Sequence, residues 1–153
     1  MKAFGEERIA AGDTCLVVDL GGCSGMDSTF MGTIAGLASR LCDTEGGVLQ
    51  IAEAGDRNRR SLQDLGLDFL IAIDPPAPAW DDRLDDIRSS LKPLQAPGTL
   101  GQIQRARHVL EAHQNLTEMN DKNAHTFEDV VNLLESELAE KEKLAGPDGP
   151  KQG

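Results

Sequence analysis

The chain has no tyrosine, one tryptophan and only 3 % aromatic residues, so any core must be aliphatic. It holds three cysteines, Cys15, Cys23 and Cys42, an odd number whose spacing matches no metal-ligand pattern. They read as small apolar fillers, with a reactive thiol at Cys23 as the alternative. Positive charge is scarce: 15 Lys and Arg against 26 Asp and Glu give a net charge of −11. Nucleic-acid binding needs clustered cations to neutralise phosphates, and an anionic membrane surface needs the same, so both are disfavoured. No apolar run approaches the roughly 20 residues that cross a bilayer. No cationic, apolar leader stands at the start, so a disulfide-bonded secreted protein is not expected and the cytoplasm is.

What is present concentrates near residue 20. An apolar run over 15–20 ends in Asp19 and Leu20, and a loop of Gly21, Gly22, Cys23, Ser24 and Gly25 follows. Met26, Asp27, Ser28 and Thr29 then open a helical pattern. This order predicts strand, loop and helix, with the Ser28 hydroxyl in the first turn beside a carboxylate. Packing alone does not call for Asp-Ser-Thr there. The continuous apolar run predicts a strand buried on both faces. The helix runs over 27–42, since Phe30, Ile34, Leu37 and Leu41 recur at three and four. Gly32 and Gly36 interrupt it, each at up to about 1 kcal/mol against Ala. Close approach of helix to sheet would offset that cost.

A second strand is expected over 48–52, and then a helix over 57–65 capped by Asp56 and ended by a left-handed Gly66. A third strand is expected over 69–73. Strand–helix–strand–helix–strand predicts an α/β fold with a parallel sheet and right-handed crossovers. Pro75, Pro76, Pro78, Pro93 and Pro97 mark residues 75–97 as a linker or a strap. Residues 98–145 read as a helical hairpin extension turning at 120–124, with Thr126 and Asp129 approximating a capping box. The Gly- and Pro-rich tail 146–153 reads as disordered.

The loop 21–25 lacks the Gly-Lys-Ser/Thr of a nucleotide cradle and the Gly-x-Gly-x-x-Gly dinucleotide pattern. A nucleotide-handling α/β enzyme is therefore a rival reading only. Asp19 reads as a structural cap for the loop amides, because a phospho-accepting Asp needs further acids for magnesium. His108, His113 and His125 complete no metal set and read as solvated or capping residues. The run from Arg57 to Arg60 is a basic island that could receive an acidic partner. Ser28 is either a plain helix-start residue or a phosphorylation site. A phosphate would add about −1.5 to −2 charges, partly offset by the helix dipole at about 0.3–1 kcal/mol and opposed by Asp27.

These motifs together resemble the anti-sigma factor antagonist branch of the STAS family. That family has an apolar strand ending in Asp-Leu, a Met-Asp-Ser-(Ser/Thr) motif at a helix start and a glycine within the helix. Here they stand as Val17 to Leu20, Met26 to Thr29 and Gly32. Gly46 and Gly47, the region of Asn58 to Arg60, and the Leu65, Gly66, Leu67, Asp68 segment follow in the family's order. The resemblance spans residues 17–74 and implies a STAS-like sheet with helices on one face in a domain over 1–74. The family's N-terminal hairpin is missing, so an N-terminal truncation and an exposed sheet edge are expected. Phe30 departs from the Gly often found there.

The resemblance further implies partner switching. Ser28, or failing it Thr29, would be phosphorylated by an anti-sigma factor that is a serine kinase, and a PP2C-type phosphatase would reset it. Asp27, Ser28, Thr29, Phe30, Met31, Arg57 and Arg60 would form the partner surface. ATP and magnesium would belong to the kinase, so the chain is expected to be no enzyme and to carry no cofactor or metal. The alternative is a constitutive STAS subunit, such as a lipid-transport ATPase accessory protein, without phosphorylation. For the hairpin, docking onto the domain and homodimerisation are the roles considered.

Overall fold

A computed structural model describes residues 1–93 and 101–145. The expectations for Pro97, for the ends of the strap and the start of the hairpin, and for the tail 146–153 lie outside those residues. Helix α1 covers Lys2–Ala10, β1 Cys15–Asp19, α2 Ser28–Cys42, β2 Val48–Ala52, α3 Gly55–Asp64 and β3 Ala72–Ile73. Helices α4, Leu84–Ser90, α5, Gln102–Thr117, and α6, Asp121–Ala145, complete the order.

The fold is mixed α/β. Its three strands run in the order β1-β2-β3, all parallel, with Cys15 opposite Val48, Asp19 opposite Ala52 and Ile51 opposite Ile73. Side chains alternate across a strand. Leu49 and Ile51 of β2 therefore join α2's Ile34, Leu37, Ala38 and Leu41 in the core. Gln50 points to the other face, where its Oε1 accepts the Ala79 N–H at 2.7 Å. The Pro-rich stretch is thus a strap across the back of the sheet as far as it is described, and it carries α4.

Several expectations need correction. β1 is not buried on both faces: Cys15, Val17 and Asp19 are exposed while Leu16 and Val18 turn inward. Among the described residues it is an edge strand, paired to β2 alone. Cys15 and Cys42 are exposed too, so they are not core fillers. The third strand shrinks to two residues, because a 3-10 turn over Leu67–Phe69 precedes it and leaves Phe69 92 % exposed. Helix α3 starts at Gly55 with no side-chain cap, so Asp56 lies in its first turn and does not cap it. Gly66 does adopt the left-handed conformation after it, at φ 72°.

The hairpin is no separate extension. Leu116 of α5 is fully buried in the core formed by α2 and β2, and Met119 and Phe127 pack against it. The boundary at residue 98 thus divides one hydrophobic cluster. The turn also comes earlier than 120–124. Asn120 Oδ1 accepts the Asn123 N–H at 2.8 Å, the bond of an N-cap residue, so α6 begins at Asp121. Thr126 then sits inside the helix, its hydroxyl donating to the Lys122 carbonyl at 2.8 Å.

Candidate functional site

The loop after β1 is held from four sides. Asp19 Oδ1 accepts the Gly21 N–H at 2.9 Å, the capping role expected of it. The Leu20 carbonyl accepts the Cys23 N–H at 2.8 Å. From α3, Asn58 Nδ2 donates to the Cys23 carbonyl at 2.7 Å. Asn58 is buried, and its Oδ1 has no hydrogen-bond partner. The Arg57 guanidinium lies over Gly25, 3.5 Å from where a Cβ there would stand. Arg57 and Arg60 share one face of α3, three residues apart, and both are exposed.

The loop delivers the chain into α2 through Asp27, whose backbone is extended (φ −92°, ψ 170°). Its Oδ1 accepts the Phe30 N–H at 2.7 Å, satisfying one of the amides that a helix start leaves open. Ser28 is consequently the first residue of α2 and is half-buried. Asp27 is exposed, Thr29 is half-buried, and Phe30 and Met31 lean on the core. Of the seven residues expected on a partner surface, Phe30 and Met31 therefore serve packing.

Two histidines read as solvated or capping in fact bridge α5 to α2. Ser28 Oγ lies 3.0 Å from His113 Nε2, and Thr33 Oγ1 lies 3.0 Å from His108 Nε2. The surroundings decide which atom donates. His113 Nδ1 sits 2.7 Å from the Val109 carbonyl, which can only accept, so Nδ1 carries the proton. Nε2 of the neutral ring is then an acceptor, and Ser28 donates to it. Thr33 has spent its hydroxyl proton on the Thr29 carbonyl at 2.7 Å. His108 must therefore donate from Nε2, so that as neutral rings the two imidazoles would be opposite tautomers. His113 is 6 % exposed, and its ring meets Phe127 of α6 edge-on at 5.7 Å. His125 is exposed.

Between these bridges α5 crosses α2 at the glycine stripe. A Cβ on Gly32 would come within 2.0 Å of the Ala112 carbonyl oxygen, and Asn115 Nδ2 donates to the Gly32 carbonyl at 3.1 Å. The stripe does serve close approach, but to a helix and not to the sheet. No pattern within α2 names the element that fills it. The bridges likewise join residues 75 and 85 positions apart, beyond any local signal.

Two further clusters flank this region. At the C-terminal ends of β1 and β2, Arg88 of α4 clamps Asp19 at 2.7 and 2.8 Å and Glu53 at 2.6 Å. That hydrogen-bonded guanidinium holds the Asp19 carboxyl below its ordinary pKa and raises that of Arg88. Between α1, α2 and α5 lies a cleft of about 480 Å³. Its cations are matched by its acids: Lys2 pairs with Glu111, and Arg40 with Glu6 at 2.9 Å. Among the described residues no group of three His, Cys, Asp or Glu is placed to hold a metal ion. None of the described helices is long and apolar enough to cross a membrane.

Comparison with family models, with curated proteins and with solved structures finds no match to the chain.

Proposed function

We propose that the chain is an anti-sigma factor antagonist of the STAS type that works by partner switching, with Ser28 as its phosphorylation site. Unphosphorylated, it binds an anti-sigma serine kinase and frees the sigma factor; phosphorylated on Ser28, it lets go. A PP2C-type phosphatase resets it. The chain contributes a docking surface and an acceptor hydroxyl, and the kinase contributes ATP and magnesium.

The observation that carries this reading is the position of Ser28. It opens α2 directly after a capping Asp27, at the end of a loop pinned by Asn58 and overlain by Arg57. A helix start tolerates a dianion better than any other place in a helix, because its amides and dipole oppose the added charge. Asp27 beside it and Arg57 over Gly25 are exposed, a mixed-charge surface on which a bound partner would sense the change. The hydrogen bond from Ser28 to His113 already polarises the hydroxyl.

That same bond favours a second reading. A half-buried serine tied to a buried histidine suits a constitutive interaction subunit in which Ser28 is never modified.

Incubating the full-length protein with a candidate anti-sigma kinase and ATP-magnesium, then locating phosphate by mass spectrometry, separates the two. We expect phosphate on Ser28, and its loss in Ser28→Ala. Labelling that survives the substitution refutes the assignment and moves attention to Thr29. Absence of labelling by a kinase that binds the chain supports the constitutive subunit.

A further inference from the structure

We infer that the α5–α6 hairpin is a latch on Ser28, and that the closed hairpin and a phosphate on that serine exclude one another. The inference rests on the reading of Ser28 as the acceptor and adds a regulatory element to it.

The position of the Ser28 hydroxyl proton is already engaged by α5. Phosphorylation replaces the Ser28 proton, which points at His113 Nε2 across 3.0 Å, by a phosphorus bearing three further oxygens. The γ-phosphoryl group of ATP passes to Oγ, ADP leaves, and the hydroxyl proton is released. The bond from Oγ–H to Nε2 cannot survive that exchange. The His113 ring is held in place by the Val109 carbonyl at 2.7 Å and by the edge contact to Phe127. Helix α5 cannot slide closer or rock at the crossing, because Gly32 meets the Ala112 backbone with no space for even one methyl. The remaining movement is outward.

The interface suits a reversible latch. Beside the apolar contacts of Leu110, Ala112, Leu116, Met119 and Phe127, and the ties of Asn120 and Asn123 to the Leu65 carbonyl, the crossing on α2 carries polar ties: Ser28 to His113, Thr33 to His108, and Asn115 to the Gly32 carbonyl. Each is a single hydrogen bond of modest net worth, small beside the cost of burying a dianion. Lifting the hairpin would also uncover Gly32 and Thr33, which are buried on α2 while α5 lies on it. Linkage makes the effect reciprocal: whatever factor by which the phosphate opens the hairpin, hairpin closure disfavours the phosphate by the same factor.

Phosphoserine placed at position 28 of the full-length chain by codon reassignment tests this without any kinase. Amide hydrogen exchange is followed for α5 and for β2. We expect α5 amides to exchange at least a hundredfold faster than in the unmodified protein, with β2 unchanged, and Ser28→Ala to stay within about tenfold of wild type in α5. Unchanged or slower α5 exchange, with the phosphate turned to water or clasped by His113, overturns the latch. So does equal acceleration of α5 and β2, which would make the hairpin inseparable from the core. Equal acceleration in Ser28→Ala would show that the lost hydrogen bond, and not exclusion, opens α5, and overturns it as well. Failure of kinase labelling at Ser28 would defeat the functional reading while leaving this physical coupling measurable.

Discussion

Gly32→Ala is the sharpest perturbation of the helix crossing on which the site depends. A Cβ there would stand 2.0 Å from the Ala112 carbonyl oxygen, 2.5 Å from its carbon and 3.0 Å from its Cα, where ordinary contact begins near 3.4 Å. All three atoms are backbone, so no rotamer change relieves the clash and α5 must move away as a body. Alanine is the better helix former by about 1 kcal/mol. Against that gain stands overpacking at about 1–3 kcal/mol. The bonds of Ser28, Thr33 and Asn115 across the crossing are strained or lost with it, at about 1 kcal/mol each. The net expectation is destabilisation by about 2–5 kcal/mol.

Gly36→Ala supplies the comparison. Its Cβ would meet Asn115 Nδ2 at 2.3 Å and Cγ at 3.0 Å, a side chain that can rotate away. The cost is then the single Asn115 bond, about 1 kcal/mol, against a similar gain in propensity. Gly36→Ala should therefore lie within about 1 kcal/mol of wild type. Urea denaturation followed by circular dichroism measures both. Equal stability of the two variants, or a Gly32→Ala protein as stable as wild type, would refute the packing of α5 on α2. It would remove the basis of the latch as well.

Two further predictions concern the ends of the strands and the loop. Arg88 depresses the pKa of Asp19, so the stabilisation it gives is present above the unfolded value of about 3.9 and is lost as the pH falls through the lower folded value. Arg88→Gln should thus be less stable than wild type at pH 7, with the gap closing as the pH falls below the unfolded value in urea titrations; a gap independent of pH would count against the pair. Asn58→Ala removes the donor to the Cys23 carbonyl and should cost about 1–3 kcal/mol. It should also speed iodoacetamide alkylation of Cys23 relative to the exposed Cys15 and Cys42, and an unchanged ratio would show that Asn58 does not hold the loop.

Much of the α/β half could be read locally. The run at 15–20, the three-and-four spacing from Phe30 to Leu41, the Asp27 cap and the turn at Gly66 each depend on residues near one another, and each appears as an element or a boundary. The failures share a different cause. β1 lies at an edge, so its apolar residues alternate in exposure in spite of their continuous character. Phe69 is a strong strand former that the 3-10 turn leaves in solvent. Asn120 is a preferred N-cap residue, but the Thr126–Asp129 pair imitates a capping box six residues later.

The histidines show where local reading stops and what it costs to stop there. His108 and His113 lie five apart on a helix whose apolar stripe is imperfect, and nothing near them marks a hydroxyl partner. Their partners, Ser28 and Thr33, are also five apart, on a helix whose glycines mark a close approach without naming what approaches. Only the crossing of the two helices turns equal spacings into paired bonds. A serine judged from its own helix start is an open acceptor; judged with α5 in place, it is an acceptor under a cover. The functional reading draws on the first description and the latch on the second. Both descriptions apply to one side chain, and so the exchange rate of α5 and the phosphate on Ser28 must be measured on the same full-length protein.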